Sequence, residues 1–182
     1  MLNATFAALL VLLCAPASAG EVELSLREYS GRMYEVDARF DVSASSAVVW
    51  EVLTDYENLP SFVSSMRKSR VLETREDGVV VVEQDAVGGF LFLDRQVSVC
   101  LDVKRALDRL NFIDTCRRDF WFYEGGWATT DTLDGGTRVS YRLQAQPDFV
   151  APGFIVKRVM NKGARELLVQ VREEILRRAA RR

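Results

Sequence analysis

Histidine is absent from all 182 residues. Histidine general bases, Ser-His-Asp and Cys-His nucleophiles and His-ligated metals are therefore excluded. Cysteine is scarce: Cys14, Cys100 and Cys116 are the three in the chain, none in a CxxC pair, so no zinc site is expected either. A phosphate-cradling loop is missing, because Gly88-Gly89, Gly125-Gly126 and Gly135-Gly136 are paired turn glycines without a GxxxxGK pattern. A large excess of one charge is missing too, with 24 Lys and Arg against 26 Asp and Glu. Nucleic acid is not an expected partner, since phosphate binding needs a concentrated basic surface beside exposed aromatics. No metal or cofactor is implied by these residues.

What is present begins with an apolar run of nine residues, 6–14, too short to span a bilayer, followed by the small-residue site Ala17-Ser18-Ala19. This pattern predicts a secretory signal peptide over residues 1–19, cleaved after Ala19, and a periplasmic or secreted mature chain. Leu13 stands where a lipoprotein anchor on Cys14 would need a small residue. The remaining residues, 20–182, suit a single domain able to bury its own core. Export would permit a disulfide between Cys100 and Cys116. Strand alternation argues against it: Val97, Val99, Leu101 and Val103 leave Cys100 on the opposite face, whereas Cys116 shares a face with Leu110 and Phe112. A bulge near Asp114 would reverse that geometry.

Residues 32–42 alternate apolar and charged side chains, the period-two mark of a half-buried strand. Ser45 or Ser46 can cap a helix whose apolar face is Val48, Val49, Trp50, Val52 and Leu53, and Pro60 is expected to push Leu59 out of the α region. Further strands are predicted at 71–74, 79–85, 90–104, 110–115, 120–133 and 137–146, with turns at Glu76-Asp77-Gly78, Gly88-Gly89 and Asp134-Gly135-Gly136. Short connections imply an antiparallel meander. Residues 154–178 then read as one long helix, with apolar positions at helical spacing from Ile155 to Ile175. Gly163 inside it costs about 1 kcal/mol relative to Ala. A close helix–sheet approach or room for a ligand would offset that.

The segment FDVSASSAVVWEVLTDYENLPSFVSSM (residues 40–66), then DFWFYEGGWATTDTLDGGTRVSYRL, then the long C-terminal helix, resembles the START-like helix-grip superfamily. The resemblance is greatest to its polyketide-cyclase and coenzyme-Q-binding branch and covers residues 29–178. It implies an α+β fold: a curved antiparallel β-sheet wrapped around a long C-terminal α-helix, with one or two short helices after the first strand. It also implies a cavity between sheet and helix for a hydrophobic small molecule, a lipid or an isoprenoid quinone.

By alternation, the residues aimed at such a cavity are Val99, Leu101, Phe112, Phe120 or Phe122 (Phe122 is taken here), Trp127, Val139, Tyr141 and Leu143 from the sheet, with Phe154, Met160, Ala164 and Leu167 from the helix. Trp50, Tyr56 and Phe62 would close one end. No catalytic residue is assigned. The rival reading, a cyclase or aromatase, requires an inward acid or tyrosine with a shifted pKa, for which Glu83, Asp85, Asp94, Asp114 and Tyr141 are the candidates. Residues 157–182 carry nine Lys and Arg against three Glu, so this helix is either a solvated face or a peripheral contact for anionic lipid headgroups, the former favoured. Oligomeric state is left open.

Overall fold

The computed structural model describes residues 21–90 and 93–182; the predicted export segment, 1–19, lies outside the described residues. Strand β1 (Glu23–Tyr29) turns through a short 3-10 segment into β2 (Met33–Val42). Arg32 in this turn takes a positive φ of 62°, and its guanidinium donates to the Phe149 carbonyl. β1 was not among the expected strands. Its apolar signal is only Leu24 and Leu26, which pair across to Ala38 and Val36.

Helix α1 (Ser46–Leu53) buries Val48, Val49, Trp50, Val52 and Leu53 as its sequence pattern requires. Ser45 occupies the N-cap, but no side-chain hydrogen bond forms there. Helix α2 (Leu59–Phe62) corrects a second expectation: Leu59 is helical (φ −48°, ψ −42°) and Pro60 lies in the first turn. Proline is tolerated there because its missing N–H has no intrahelical partner to lose. The chain breaks instead at Asp55, where ψ is 60°.

Six strands follow: β3 (Met66–Thr74), β4 (Val80–Phe90), β5 (Leu93–Arg105), β6 (Arg109–Asp114), β7 (Phe120–Asp131) and β8 (Thr137–Pro147). All pairings are antiparallel, in the order β1-β2-β8-β7-β6-β5-β4-β3. The meander is therefore closed by β2 against β8, which joins the two ends of the sequence. Gly88 and Gly89 do not turn the chain, because they pair with Arg95 and Asp94, and Phe90 pairs with Leu93. The reversal falls between Phe90 and Leu93.

Helix α3 (Gly153–Ala179) crosses the concave face, with its main contacts to α1, to β1 and β2 at one edge, and to β4 toward the other. Leu168, Val171 and Ile175 are buried with Val36, Phe40, Val49, Val52, Val82 and Val139 in one core. The far end of α3 is tied down electrostatically. Glu174, nearly buried, accepts from Arg177 and Arg178, and Arg178 reaches Asp55 at 2.6 Å.

Cys100 and Cys116 are joined by a disulfide, with Cα atoms 5.3 Å apart, against the expectation from strand parity. β6 ends at Asp114, whose carboxylate accepts from the backbone N–H groups of Cys100, Cys116 and Arg117 at 2.9–3.1 Å. Arg117 then adopts φ 51°. This curl carries Cys116 out of the strand's alternation and around to the face of Cys100.

Candidate functional site: the aromatic concave face

Strand register decides which side chains face α3. Ala38 pairs with Tyr141 and Val36 with Leu143, both couples on the inner side. Trp127 lies opposite Tyr141, Gly125 opposite Leu143 and Tyr123 opposite Ala145, so these β7 residues share that side. One strand further on, Leu110 meets Trp127 and Phe112 meets Gly125, and beyond them Val103 meets Phe112 and Leu101 meets Asp114. Val99 completes the row opposite Gln84.

These registers stack five rings into a ladder. Phe120 lies 4.9 Å from Tyr123, Tyr123 5.9 Å from Phe112, Phe112 6.5 Å from Tyr141 and Tyr141 4.5 Å from Trp127. Tilted and offset contacts of this kind suit the quadrupoles of aromatic rings. Gly125 makes room for the ladder, since a Cβ there would sit 2.7 Å from the Phe112 ring and 2.3 Å from the Arg142 carbonyl oxygen. Although they point inward, Phe120, Tyr123 and Trp127 are only half-buried. The opposing residues of α3, Met160, Ala164 and Leu167, are half-buried as well, and a Cβ at Gly163 would meet no atom within 4 Å. A tight helix–sheet approach therefore does not explain Gly163; space beside the helix does.

The ladder has a polar centre. The Tyr123 and Tyr141 rings flank Phe112 on this face. Burial pushes the Tyr123 phenol up to about 12, with a smaller push from the Asp114 charge, and burial raises Tyr141 well above its ordinary value. Both phenols stay protonated at any physiological pH, which makes them hydrogen-bond donors and poor bases. Asp114 is inward and 5% exposed, yet its oxygens are occupied by the three backbone donors of the curl.

The predicted residues divide into three groups. Val99, Leu101, Phe112, Trp127 and Tyr141 line the concave face, opposite Met160, Ala164 and Leu167. Trp50, Tyr56 and Phe62 lie together at one end: Arg105 sits 4.8 Å over the buried Trp50, Arg178 lies 5.9 Å from the Phe62 ring, and burial raises the Tyr56 phenol against the opposing Arg105 charge. Phe122 and Phe154 are corrections. Phe122 pairs with Gln146 on the outer face, next to the inward Tyr123, and a register shift between Phe120 and Phe122 separates it from Phe120. Five positions separate Phe122 from Trp127, so a regular strand cannot aim both the same way. Phe154, in the first turn of α3, is 70% exposed. Tyr123 was missed, although counting back by twos from Trp127 reaches it.

Glu83 and Asp85 lie elsewhere, and the side chain of Asp94 lies outside the described residues. Glu83 is on the outer face, 8% exposed, beside Lys68 at 2.7 Å, Arg70 at 2.9 Å and Arg118 at 3.4 Å. Hydrogen bonds and charges from Lys68 and then Arg70 outweigh its burial and hold it at about 2. Asp85 pairs with Ser98 on that same outer face. A surface hollow of about 850 Å³ is lined by the charged Asp37, Arg39, Arg109, Glu124 and Arg142 together with Leu24, Ala38, Trp127 and Tyr141.

A curved antiparallel sheet gripping a long C-terminal helix, with an aromatic inner face, defines a START-like helix-grip protein. Residues 42–172 match the family described as polyketide cyclase / dehydrase and lipid transport, and the chain belongs to that family. Among solved structures, the fold is similar to a START superfamily protein from Mycobacterium smegmatis (14% identity, TM-score 0.66, covering 78% of this chain and 96% of that one). It is also similar to the Zhui aromatase/cyclase from Streptomyces sp. R1128 (18% identity, TM-score 0.64, 82% and 95% covered). Human StAR-related lipid transfer protein 5 shares it as well (11% identity, TM-score 0.69, 88% of each chain covered). Comparison with curated protein sequences gives no significant match.

Proposed function

We propose that this protein binds a hydrophobic small molecule, a lipid or an isoprenoid-quinone-like compound, between the aromatic ladder and α3, and performs no covalent chemistry on it. The observation that carries this reading is the half-exposure of apolar groups on both walls: Phe120, Tyr123 and Trp127 on the sheet, Met160, Ala164 and Leu167 on the helix. Covering them with an apolar ligand returns about 25 cal/mol per Å² removed from water. Tyr141, inward and raised by burial, meets the cyclase or aromatase reading's requirement of a shifted inward tyrosine, but that chemistry would also need an inward proton acceptor. The tyrosine pair holds its protons and Asp114 is taken by backbone donors, so binding is the better-supported activity.

Export belongs to the same reading. The Cys100–Cys116 disulfide supports an oxidising compartment, and the predicted outcome is a mature chain beginning at Gly20. A peripheral lipid contact through the basic helix is less well supported, since Lys157, Arg177, Arg178 and Arg182 are engaged by Glu28, Glu174, Asp55 and Glu51.

Native mass spectrometry of protein purified from its own host, with solvent extraction of what it retains, tests the binding. Ala164→Phe is the companion variant: it should abolish uptake of a hydrophobic ligand and leave stability nearly unchanged. Loss of about 1–3 kcal/mol from overpacking, in a parent protein that takes up no lipid or quinone, would overturn the proposal.

A further inference from the structure

We infer that β1 is an interface strand: two copies of this chain pair their β1 edges antiparallel about Ser25, joining two eight-stranded sheets into one across a two-fold axis. The pairing does not depend on what the concave face binds.

The two ends of the sheet are finished differently. At one end β3 carries Lys68 and Arg70, its pairing with β4 is interrupted between Met66 and Lys68 and again between Val71 and Glu73, and residues 56–62 pack against it. Basic side chains, bulges and a covering segment are the usual means of keeping an edge from pairing with another chain. β1, at the other end, has no bulge, no lysine and no proline: it matches β2 residue for residue from Glu23 opposite Arg39 to Tyr29 opposite Met33, and no described strand lies beyond it. Its outward backbone N–H and C=O groups are therefore open to a further strand. Arg165 takes the carbonyl of Val22 just before the strand begins, and Glu28 near its far end holds Lys157, so the usable stretch is 23–27.

That stretch is complementary to itself. A two-fold axis at Ser25 sets Glu23 opposite Arg27 of the second copy and Leu24 opposite its Leu26, and does so twice. Glu23 and Arg27 lie on the outer face, where they already pair with Arg39 and Glu35 at 2.6 and 3.9 Å. Across the junction the outer row would run Arg39, Glu23, then Arg27 and Glu35 of the second copy, alternating in sign throughout. Opposite charges at facing positions favour a strand pair, and like charges oppose it. An axis at Leu26 would instead set Glu23 opposite Tyr29 and Arg27 opposite Ser25, matching neither charge. On the inner face Leu24 and Leu26, half-buried in the single chain, would cover one another. Because each copy uses the same patch, the association closes at two.

Sedimentation velocity of the full chain from about 1 to about 200 μM tests the pairing. A strand pair this short is smaller than a standard interface, so a dimer half-dissociated near about 10 μM is expected. Glu23→Arg and Arg27→Glu, each alone, set like charges opposite one another at both positions and should each raise the dissociation constant at least about tenfold. An equimolar mixture of the two variants restores opposite charges at both positions and should return to within about threefold of the wild type. A wild type that stays monomeric throughout, variants that dimerise as tightly as it does, or a mixture no better than its components would each overturn the inference. Where a charge variant does not fold, Ser25→Cys serves instead: its thiols face each other on the axis, so oxidation should yield covalent dimer beyond any formed by the wild type, and no such excess would overturn the inference as well.

Discussion

At Glu83 the arrangement of neighbours sets both the strength and the sign of a pH effect. Lys68, Arg70 and Arg118 converge on this outer-face carboxylate, and its pKa of about 2 lies below the ordinary 4.5. A depressed carboxylate stabilises the fold above its unfolded pKa, and the contribution is lost as pH falls through the folded value. Glu83→Gln should therefore lower the thermal midpoint at pH 7, and the gap from wild type should narrow steadily between pH 5 and pH 2. A gap of constant size across that range, read by circular dichroism, would mean that the charge is not what the site uses. Gly125 is the steric counterpart. With the Phe112 ring and the Arg142 carbonyl oxygen crowding the position a Cβ would take, Gly125→Ala should destabilise by about 1–3 kcal/mol in urea unfolding.

Elements respond differently where space is open. Gly163 lies inside α3 with nothing within 4 Å of a prospective Cβ, so Gly163→Ala should raise unfolding free energy by about 0.5–1 kcal/mol through helix propensity alone. A destabilised variant would show that the helix is closer to the sheet than described. The β5–β6–β7 corner depends on a cross-link as well as on pairing. The disulfide closes a loop of sixteen residues, and replacing both cysteines by serine should cost about 3 kcal/mol on the chain-entropy account. The corner was only partly legible beforehand. Alternation correctly placed Val99, Leu101 and Phe112, but it cannot see a strand ending: the backbone donors gathered by Asp114 and the register shift before Phe122 both interrupt the period of two.

Across the whole molecule, the closing β2–β8 pair and the crossing of α3 bring the first and last thirds of the chain together. Contacts of such long sequence separation make folding slow relative to local structures. They also make the sheet dependent on its helix. A chain ending at residue 152 would expose the concave face from Phe40 to Tyr141, and no cooperative near-UV transition is expected from it. A truncated protein that unfolds cooperatively would show that the ladder is self-sufficient and that α3 is a cover, not part of the core.

The sequence by itself determined the class of fold, because period-two strands, turn residues and one long amphipathic helix are local patterns that each write their own element. It also determined the absence of histidine chemistry. Which residues meet was decided by tertiary structure. Tyr123 and Tyr141 are eighteen positions apart and meet the same Phe112 ring only because β6, β7 and β8 pair in one register. Cys116 reaches Cys100 only because Asp114 curls the intervening chain, and Phe154, apolar and in a helix, is left in water because it falls on the side of α3 away from the buried Val156. Registers, strand ends and the reach of one element over another are sums over distant contacts, and no window of neighbouring residues contains them.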